Sequence, residues 1–114
     1  MVCKFTILFM IAKTPKPPYY AVIFTSIRTA GDKNYSKTSE KMMALARQQI
    51  GFLGLESARE TIGITVSYWE SLEAIKNWKN NSAHQIARQK GKDLWYQSFK
   101  VRICKVENDY EFEL

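Results

Sequence analysis

The sequence predicts an α+β domain in which strands and helical regions follow one another in the order βαββαβ. Four segments are rich in β-branched and aromatic residues, and the two regions between them carry apolar residues at helical spacing. A chain of 114 residues accommodates one such domain. This order gives a four-stranded antiparallel sheet with both helical regions on one face.

The first half of the chain predicts strand, helix and strand. Tyr19–Arg28 is apolar on both faces, as in a strand that is covered on two sides. Asn34 or Ser36 is placed to cap the helix, and Gly51 ends it. The apolar face of this helix consists of Tyr35, Met42, Leu45, Ala46 and Gln49. Phe52–Arg59 is the second strand. Its alternation places Phe52, Gly54 and Ala58 opposite Leu53, Leu55 and Ser57. Gly54 indicates a close approach of another backbone.

The second half predicts strand, helix and strand again. In Ile62–Trp69 one face carries Ile62, Ile64, Val66 and Tyr68, and the other carries Gly63, Thr65, Ser67 and Trp69. Ser71 caps a helix with an apolar stripe, and Ser82 caps a second helical piece that runs to about Trp95. The last strand is Tyr96–Val106, in which Phe99, Val101 and Ile103 alternate with Lys100, Arg102 and Cys104.

Composition excludes several classes of protein. The longest apolar run, 5–12, is too short to cross a membrane as a helix, which requires about 20 residues. The two cysteines, Cys3 and Cys104, lie far apart, and His84 is the one histidine, so we expect neither a disulfide framework nor a metal site. The net charge of +6 would suit nucleic acid, but the cations are scattered, so a solvated surface is favoured.

The two ends of the chain differ from its body. Residues 1–18 form an N-terminal arm or linker, in which Met10 is an alternative start, and residues 19–106 form the domain. We expect a cytoplasmic protein with reduced thiols, because the N-terminal run is a poor match to a signal peptide. Residues 107–114 form an acidic tail that alternates acidic and apolar residues. This tail could add an edge strand to its own sheet or to that of a partner.

The candidate functional residues are aromatic or titratable. Trp69 ends a strand on the face that otherwise holds small residues, so it could form a cavity wall, although a packed core Trp with a satisfied indole N–H is the alternative. His84 follows a helix start, where the helix dipole lowers an imidazole pKa and favours a neutral proton acceptor. Trp78 and Trp95 follow apolar helical faces and are expected to pack. Arg28, Lys100 and Arg102 project from strands and could bind an anionic group, although salt bridges or solvent are the simpler interpretation.

Two stretches resemble a known family. They are Gly51-Phe-Leu-Gly54, which opens the second strand, and Ser67-Tyr-Trp-Glu-Ser-Leu-Glu-Ala-Ile-Lys-Asn-Trp78, which is followed by Asn81-Ser-Ala-His84. The chain from Tyr19 to Val106 is similar to the antibiotic biosynthesis monooxygenase family of the dimeric α+β barrel superfamily. The resemblance implies a ferredoxin-like domain that forms a homodimer through sheet-to-sheet packing, with a cavity between sheet and helices in each subunit.

The resemblance also implies candidate activities. Some members oxidise polycyclic phenols without flavin, haem or metal, and Trp69 matches the family's Trp at the end of the third strand. Haem-degrading members carry an Asn on the first strand, where this chain has Phe24, Thr25 and Ser26, so we expect no haem and no other cofactor. The leading hypothesis is a cofactor-independent monooxygenase acting on a small aromatic or quinol-like substrate. In it Trp69 orients the substrate, and His84, Tyr68 or Tyr35 transfers protons.

Three alternatives stay open. The first is a non-catalytic dimer that binds a small hydrophobic or anionic ligand, with Arg28 or Arg102 as the counter-charge. Haem degradation ranks lower, because the one histidine lies about a turn before the position at which that branch has its haem ligand. Association with nucleic acid through the basic body ranks last.

Overall fold

The computed structural model describes residues 11–114 and confirms the predicted order of elements. The strands are β1 (Tyr19–Arg28), β2 (Phe52–Arg59), β3 (Gly63–Trp69) and β4 (Tyr96–Val106). The helices are α1 (Tyr35–Ala46), α2 (Leu72–Lys79) and α3 (Ser82–Lys90), and a π-helical turn (Gly91–Trp95) joins α3 to β4. Met10 and most of the apolar run 5–12 lie outside the described residues.

The four strands form one antiparallel sheet in the order β2-β3-β1-β4. Residues paired across strands project to the same side, so the register defines two faces. We call the face that contains Val22, Ser67 and Ile103 the inner face and the one that contains Ala21, Tyr68 and Cys104 the outer face. The core residues of α2 pack against the inner face, which is the arrangement predicted for an α+β ferredoxin-like fold.

One predicted alternation is wrong at the start of β2. Phe52 pairs with Trp69 and Gly54 pairs with Tyr68, so Leu53 is an extra residue in a β-bulge. The bulge places Phe52 on the inner face together with Leu55, rather than with Gly54 as strict alternation predicts. The close approach predicted at Gly54 is present, because a side chain there would meet the Cβ of Ala12 at 3.0 Å.

The helix starts differ in part from the prediction. Asn34 precedes α1 but makes no side-chain cap, and the Asp32 carboxylate instead accepts bonds from the backbone N–H and the hydroxyl of Ser36. Ser71 caps α2 as predicted, through the N–H of Ala74 at 3.0 Å. The cap of α3 is Asn81 rather than Ser82, because the Asn81 side chain accepts from the N–H of His84. An amide side chain fills the same role as a hydroxyl at this position.

The core is small and lies where α2 meets the inner face. Trp69, Ala74 and Ile75 are buried there, with Tyr20, Val22, Phe52 and Trp78 packed around them. Gly51 does not end α1 as predicted, because α1 ends at Ala46 with Arg47 as its C-cap. Gly51 instead lies in the turn that precedes β2, at a φ of +87°, and its carbonyl accepts a bond from Glu70 N–H at 2.8 Å. A side chain at Gly51 would lie 2.6 Å from the Cβ of Ala74, so only glycine allows this approach.

The outer face carries no helix within the described residues, and the two ends of the chain cross part of it. The backbone N–H of Ala12 donates to Glu56 at 2.9 Å, and Tyr68 donates to the other oxygen of that carboxylate at 2.7 Å. Tyr19 donates to Asp109 in the acidic tail. Residues 107–114 form no strand within this sheet, so an added edge strand in the same chain is not observed. Each helix in residues 11–114 falls short of the length and apolarity needed to cross a membrane.

Candidate functional site

Three rings are stacked in a row from the third strand outward. The rings of Trp69 and Trp78 lie 6.3 Å apart at 25°, and those of Trp78 and His84 lie 4.2 Å apart at 11°. We call these residues the stacked row. The structure thus brings together two predicted site residues, Trp69 and His84, through Trp78, which was predicted to have a packing role alone.

Trp69 is the fixed end of the stacked row. Its side chain has no exposed surface, its indole N–H donates to the Ser67 hydroxyl at 2.9 Å, and the ring of Phe52 meets it edge-on at 5.3 Å. The small residues beside Trp69 were expected to leave an open cavity next to the ring. Instead the ring is fully buried, and its indole N–H is bonded to the Ser67 hydroxyl. Trp69 can therefore orient other rings, but in this structure it presents no surface to a ligand.

His84 is the titratable end of the stacked row. Its Nδ1 lies 3.0 Å from the backbone carbonyl of Trp78, and a carbonyl can only accept, so the proton of the neutral ring resides on Nδ1. Nε2 is left with its lone pair, and no group in residues 11–114 binds it. Burial lowers the pKa of His84 and the charge of Arg88 lowers it further, whereas the Trp78 carbonyl opposes both. The result is a neutral imidazole with a defined acceptor atom.

An apolar strip runs along β4 on the inner face. Phe99, Val101 and Ile103 are 41%, 47% and 54% exposed, although they share the face against which the core residues pack. We call them the β4 strip. Ile103 pairs with Val22, which contacts the buried core, and Phe99 pairs with Ser26 further along β1. The strip is about 13 Å long at 3.3 Å per residue, which suits a molecule of two or three fused rings.

An arginine, Arg59, lies at the Phe99 end of this strip. Arg59 donates to the hydroxyl and to the carbonyl of Ser26, which is 2% exposed. Phe99 and Phe24 pack beside Tyr96, with ring centroids 5.9 Å and 5.2 Å from it. Neither Arg59 nor Tyr96 is among the site residues predicted from the sequence. Gly63 could have indicated the position of Arg59 from the sequence, because a glycine inside a strand indicates that another group passes close to it.

Tyr35 lies at this same end. Its ring is 5.8 Å from Tyr96, and the guanidinium of Arg28 sits 3.6 Å above it. Burial raises the pKa of Tyr96 above its ordinary value, and the Tyr35 hydroxyl raises it further. Trp95 is buried beside Tyr35 and donates to the Lys33 carbonyl at 2.9 Å, which is the packing role predicted for it.

Tyr68 lies apart from the other candidates. It projects from the outer face, where burial and the Glu56 carboxylate raise its pKa. Arg102 and Lys100 also belong to the outer face, so neither shares the inner face with Trp69. The structure therefore brings Trp69 and His84 together in the stacked row, whereas Tyr35 packs apart from them against Trp95 and Tyr96. Tyr68 lies on the opposite face of the sheet from Trp69.

Several solved structures share the fold of this chain at low sequence identity. SnoaB, named as a cofactor-independent oxygenase from Streptomyces nogalater, superposes with a TM-score of 0.70 at 9% identity, over 82% of this chain and 97% of that one. Rv0793 from Mycobacterium tuberculosis superposes with a TM-score of 0.71 at 11% identity, over 82% and 99%. A putative antibiotic biosynthesis monooxygenase from Nitrosomonas europaea superposes with a TM-score of 0.64 at 10% identity, over 80% of this chain and 91% of that one, so the chain shares its fold. No protein-family model matches the chain.

A relative at much higher identity establishes the family. YqjZ of Bacillus subtilis strain 168, described as an uncharacterized protein, is 50% identical over 105 residues. These residues cover 90% of this chain and 92% of that protein. The chain belongs to the same family as YqjZ.

Proposed function

We propose that the protein is a cofactor-independent monooxygenase that oxidises a small aromatic or quinol-like substrate with O2 on the inner face of the sheet. The observation that carries this proposal is the neutral His84, whose Nδ1 is bonded to the Trp78 carbonyl and whose Nε2 is free to accept a proton. The exposed β4 strip supplies an apolar surface on the helix side. The shared fold with SnoaB supports the same class of reaction.

The chemistry requires one base and no redox group. His84 Nε2 accepts a proton from the substrate, and the resulting carbanion or phenolate passes one electron to O2. Superoxide and the substrate radical combine at carbon to give a peroxide anion, which takes the proton back from His84. The resulting hydroperoxide loses water and leaves a carbonyl. One oxygen atom enters the product and the other leaves as water, so a CH2 group that becomes C=O consumes one O2 and needs no external reductant.

The stacked row explains how the base is held ready. Trp69 is immobilised by burial and by Ser67, Trp78 stacks on it, and His84 stacks on Trp78. A positioned base contributes about 10² to 10⁴ in rate. Trp69 acts in this arrangement as a positioning residue, and His84 is the residue that contacts substrate.

Oxygen uptake with anthrone tests the proposal, because its CH2 group becomes a carbonyl in the reaction described. We expect enzyme-dependent uptake that resists chelators, falls at least 100-fold in kcat in His84→Gln and falls less in Trp69→Phe. Lys41→Gln removes an exposed charge on α1 and serves as the control. Equal rates in His84→Gln and in the control would refute the role of His84. A titration with haem runs in parallel, and a saturating Soret shift followed by bleaching with reductant and O2 would indicate haem degradation instead.

A second candidate is a non-catalytic ligand-binding protein that uses the same surface. The complete burial of Trp69 and its satisfied indole N–H favour it, because these features are those of a structural tryptophan. Saturable binding of hydroxyarenes without oxygen uptake would establish this alternative.

We also propose that two copies pack through their outer faces, as in a dimeric α+β barrel. Ile64 on this face is 45% exposed, and Ile23 and Val66 beside it are half-buried. A contiguous apolar surface of this kind is typical of an interface. Light scattering should give twice the chain mass for the native protein and the mass of a single chain for Ile64→Glu. A native protein of single-chain mass would overturn the dimer.

A further inference from the structure

Arg59 is built into the inner face. It ends β2, opposite Gly63, and a Cβ at Gly63 would lie 2.1 Å from the Arg59 Cζ. The side chain therefore crosses β3 through the space that this glycine leaves and reaches Ser26 on β1. Two of its nitrogens donate to Ser26, one to the buried hydroxyl and one to the carbonyl. These contacts hold the guanidinium in one place on the sheet.

The charge of Arg59 is not neutralised by a carboxylate. Its bonds within residues 11–114 are those to the uncharged groups of Ser26, and the residue as a whole is exposed. A guanidinium has five N–H donors, so donors remain for a ligand. Planar guanidinium groups match carboxylates in geometry, which suits this position to an anion.

Arg28 adds positive charge without competing for the ligand. Its Nε and one terminal nitrogen donate to the backbone carbonyls of Trp95, Gly31 and Asp32, so it fastens the loop that precedes α1. The charges of Arg59 and Arg28 both act to lower the pKa of Tyr96, so both groups lie near that residue. Two guanidinium groups therefore lie at this end of the sheet. A hydroxyl hydrogen bond lowers the pKa of the Asp32 carboxyl, and the charge of Arg28 is close enough to lower it further.

The surface beside Arg59 is aromatic. Phe99 pairs with Ser26, the residue to which Arg59 is bonded, so Phe99 is its neighbour on the inner face. Phe99 is 41% exposed and stands 5.4 Å from Phe24. An exposed aromatic surface next to an unneutralised guanidinium recognises an aromatic ring that bears a negative group.

We propose that Arg59 binds the carboxylate of an aromatic substrate whose rings lie on the β4 strip. This inference rests on the proposed function, because it names the substrate class of the same site: a hydroxyarene that carries a carboxylate. The strip extends from Phe99 next to the cation to Ile103 next to the core, about 13 Å, so a bicyclic acid fits along it. Ser26 and Gly63 are positioning residues for the cation.

Calorimetric titration with a matched pair of probes tests the inference. The first probe is 1-hydroxy-2-naphthoate, and the second is the amide 1-hydroxy-2-naphthamide, which has the same shape without the charge. We expect the acid to bind at least tenfold more tightly than the amide, since hydrogen bonds to charged groups exceed neutral ones by about that factor. Arg59→Gln should abolish this preference and leave amide binding unchanged, and Arg59→Lys should restore part of it.

A second variant separates the position of the charge from its presence. Gly63→Ala keeps Arg59 but displaces its guanidinium, which can move at little cost because it is the end of a flexible side chain. We expect it to lower acid affinity nearly as far as Arg59→Gln, while Lys41→Gln has no effect. Equal affinities for acid and amide in the native protein, or an unchanged preference in Arg59→Gln, would overturn the inference.

The two proposals can fail separately. Acid binding that depends on Arg59 without oxygen uptake would keep the anion site and reject the oxygenase. Oxygen uptake with anthrone, together with no preference for the acid, would keep the oxygenase and reject the anion site.

Discussion

Gly51 is the position at which a single added methyl group should most disturb the candidate site. It directly precedes β2 at a φ of +87°, and the Cβ of an alanine there would lie 2.6 Å from the Cβ of Ala74. Ala74 is 7% exposed in the core of α2 and has no rotatable side chain with which to move away. The helix itself must shift, and α2 carries Trp78 of the stacked row.

The magnitude has two parts. A left-handed conformation costs an alanine roughly 1–2 kcal/mol. Overpacking against the core adds about 1–3 kcal/mol. Gly51→Ala should therefore lower the free energy of unfolding by about 2–5 kcal/mol. Gly31 provides the matched control, because its φ is +79° and a side chain there meets nothing within 4 Å. Gly31→Ala should show the conformational cost alone.

Urea unfolding followed by circular dichroism measures both variants. Adding Ala74→Gly to Gly51→Ala removes the Ala74 methyl group with which the new side chain would clash. The free energy of unfolding of the double variant should therefore exceed the value expected from adding the two single changes by about 1–3 kcal/mol. Equal destabilisation in Gly51→Ala and Gly31→Ala, with additive behaviour in the double variant, would show that the contact with Ala74 costs nothing and would refute the reasoning.

Further predictions concern pH, a helix cap and the outer face. Folding lowers the pKa of His84 below 6.5, so the unfolded chain binds a proton at this residue more readily than the folded chain. The free energy of unfolding should therefore fall as the pH drops below the unfolded pKa. His84 is the one histidine, so urea unfolding at pH 7.5 and 5.5 should show this loss in the native protein and little of it in His84→Gln. Asn81→Ala should cost about 1 kcal/mol and Ser82→Ala nearly nothing, and a cost confined to Ser82 would contradict the observed cap. Tyr68→Phe removes the hydrogen bond to Glu56, so it should lower the free energy of unfolding by about 1 kcal/mol without changing oxygen uptake. A loss of oxygen uptake at unchanged stability would instead show that Tyr68 takes part in the reaction.

Local patterns in the sequence were sufficient for the architecture. The bounds of β1, β2 and β4 agree with those predicted, because β-branched and aromatic residues, alternation and flanking glycines act over a few neighbouring positions. The separation of Tyr68 from Trp69 was also predictable, since adjacent strand residues project to opposite faces. The close approach at Gly54 follows from the same local chemistry, whereas the helix end predicted at Gly51 lies at Ala46 in the structure.

The candidate site depended on contacts that no local pattern encodes. The bulge at Leu53 moves Phe52 onto Trp69, and the break before α3 lets His84 stack on Trp78. Arg59 reaches Ser26, 33 positions away, through the space above Gly63. These three arrangements arise because the sheet register and the packing of α2 place distant residues together. Composition and periodicity describe each element alone, so the partners of its side chains emerge only when the elements pack.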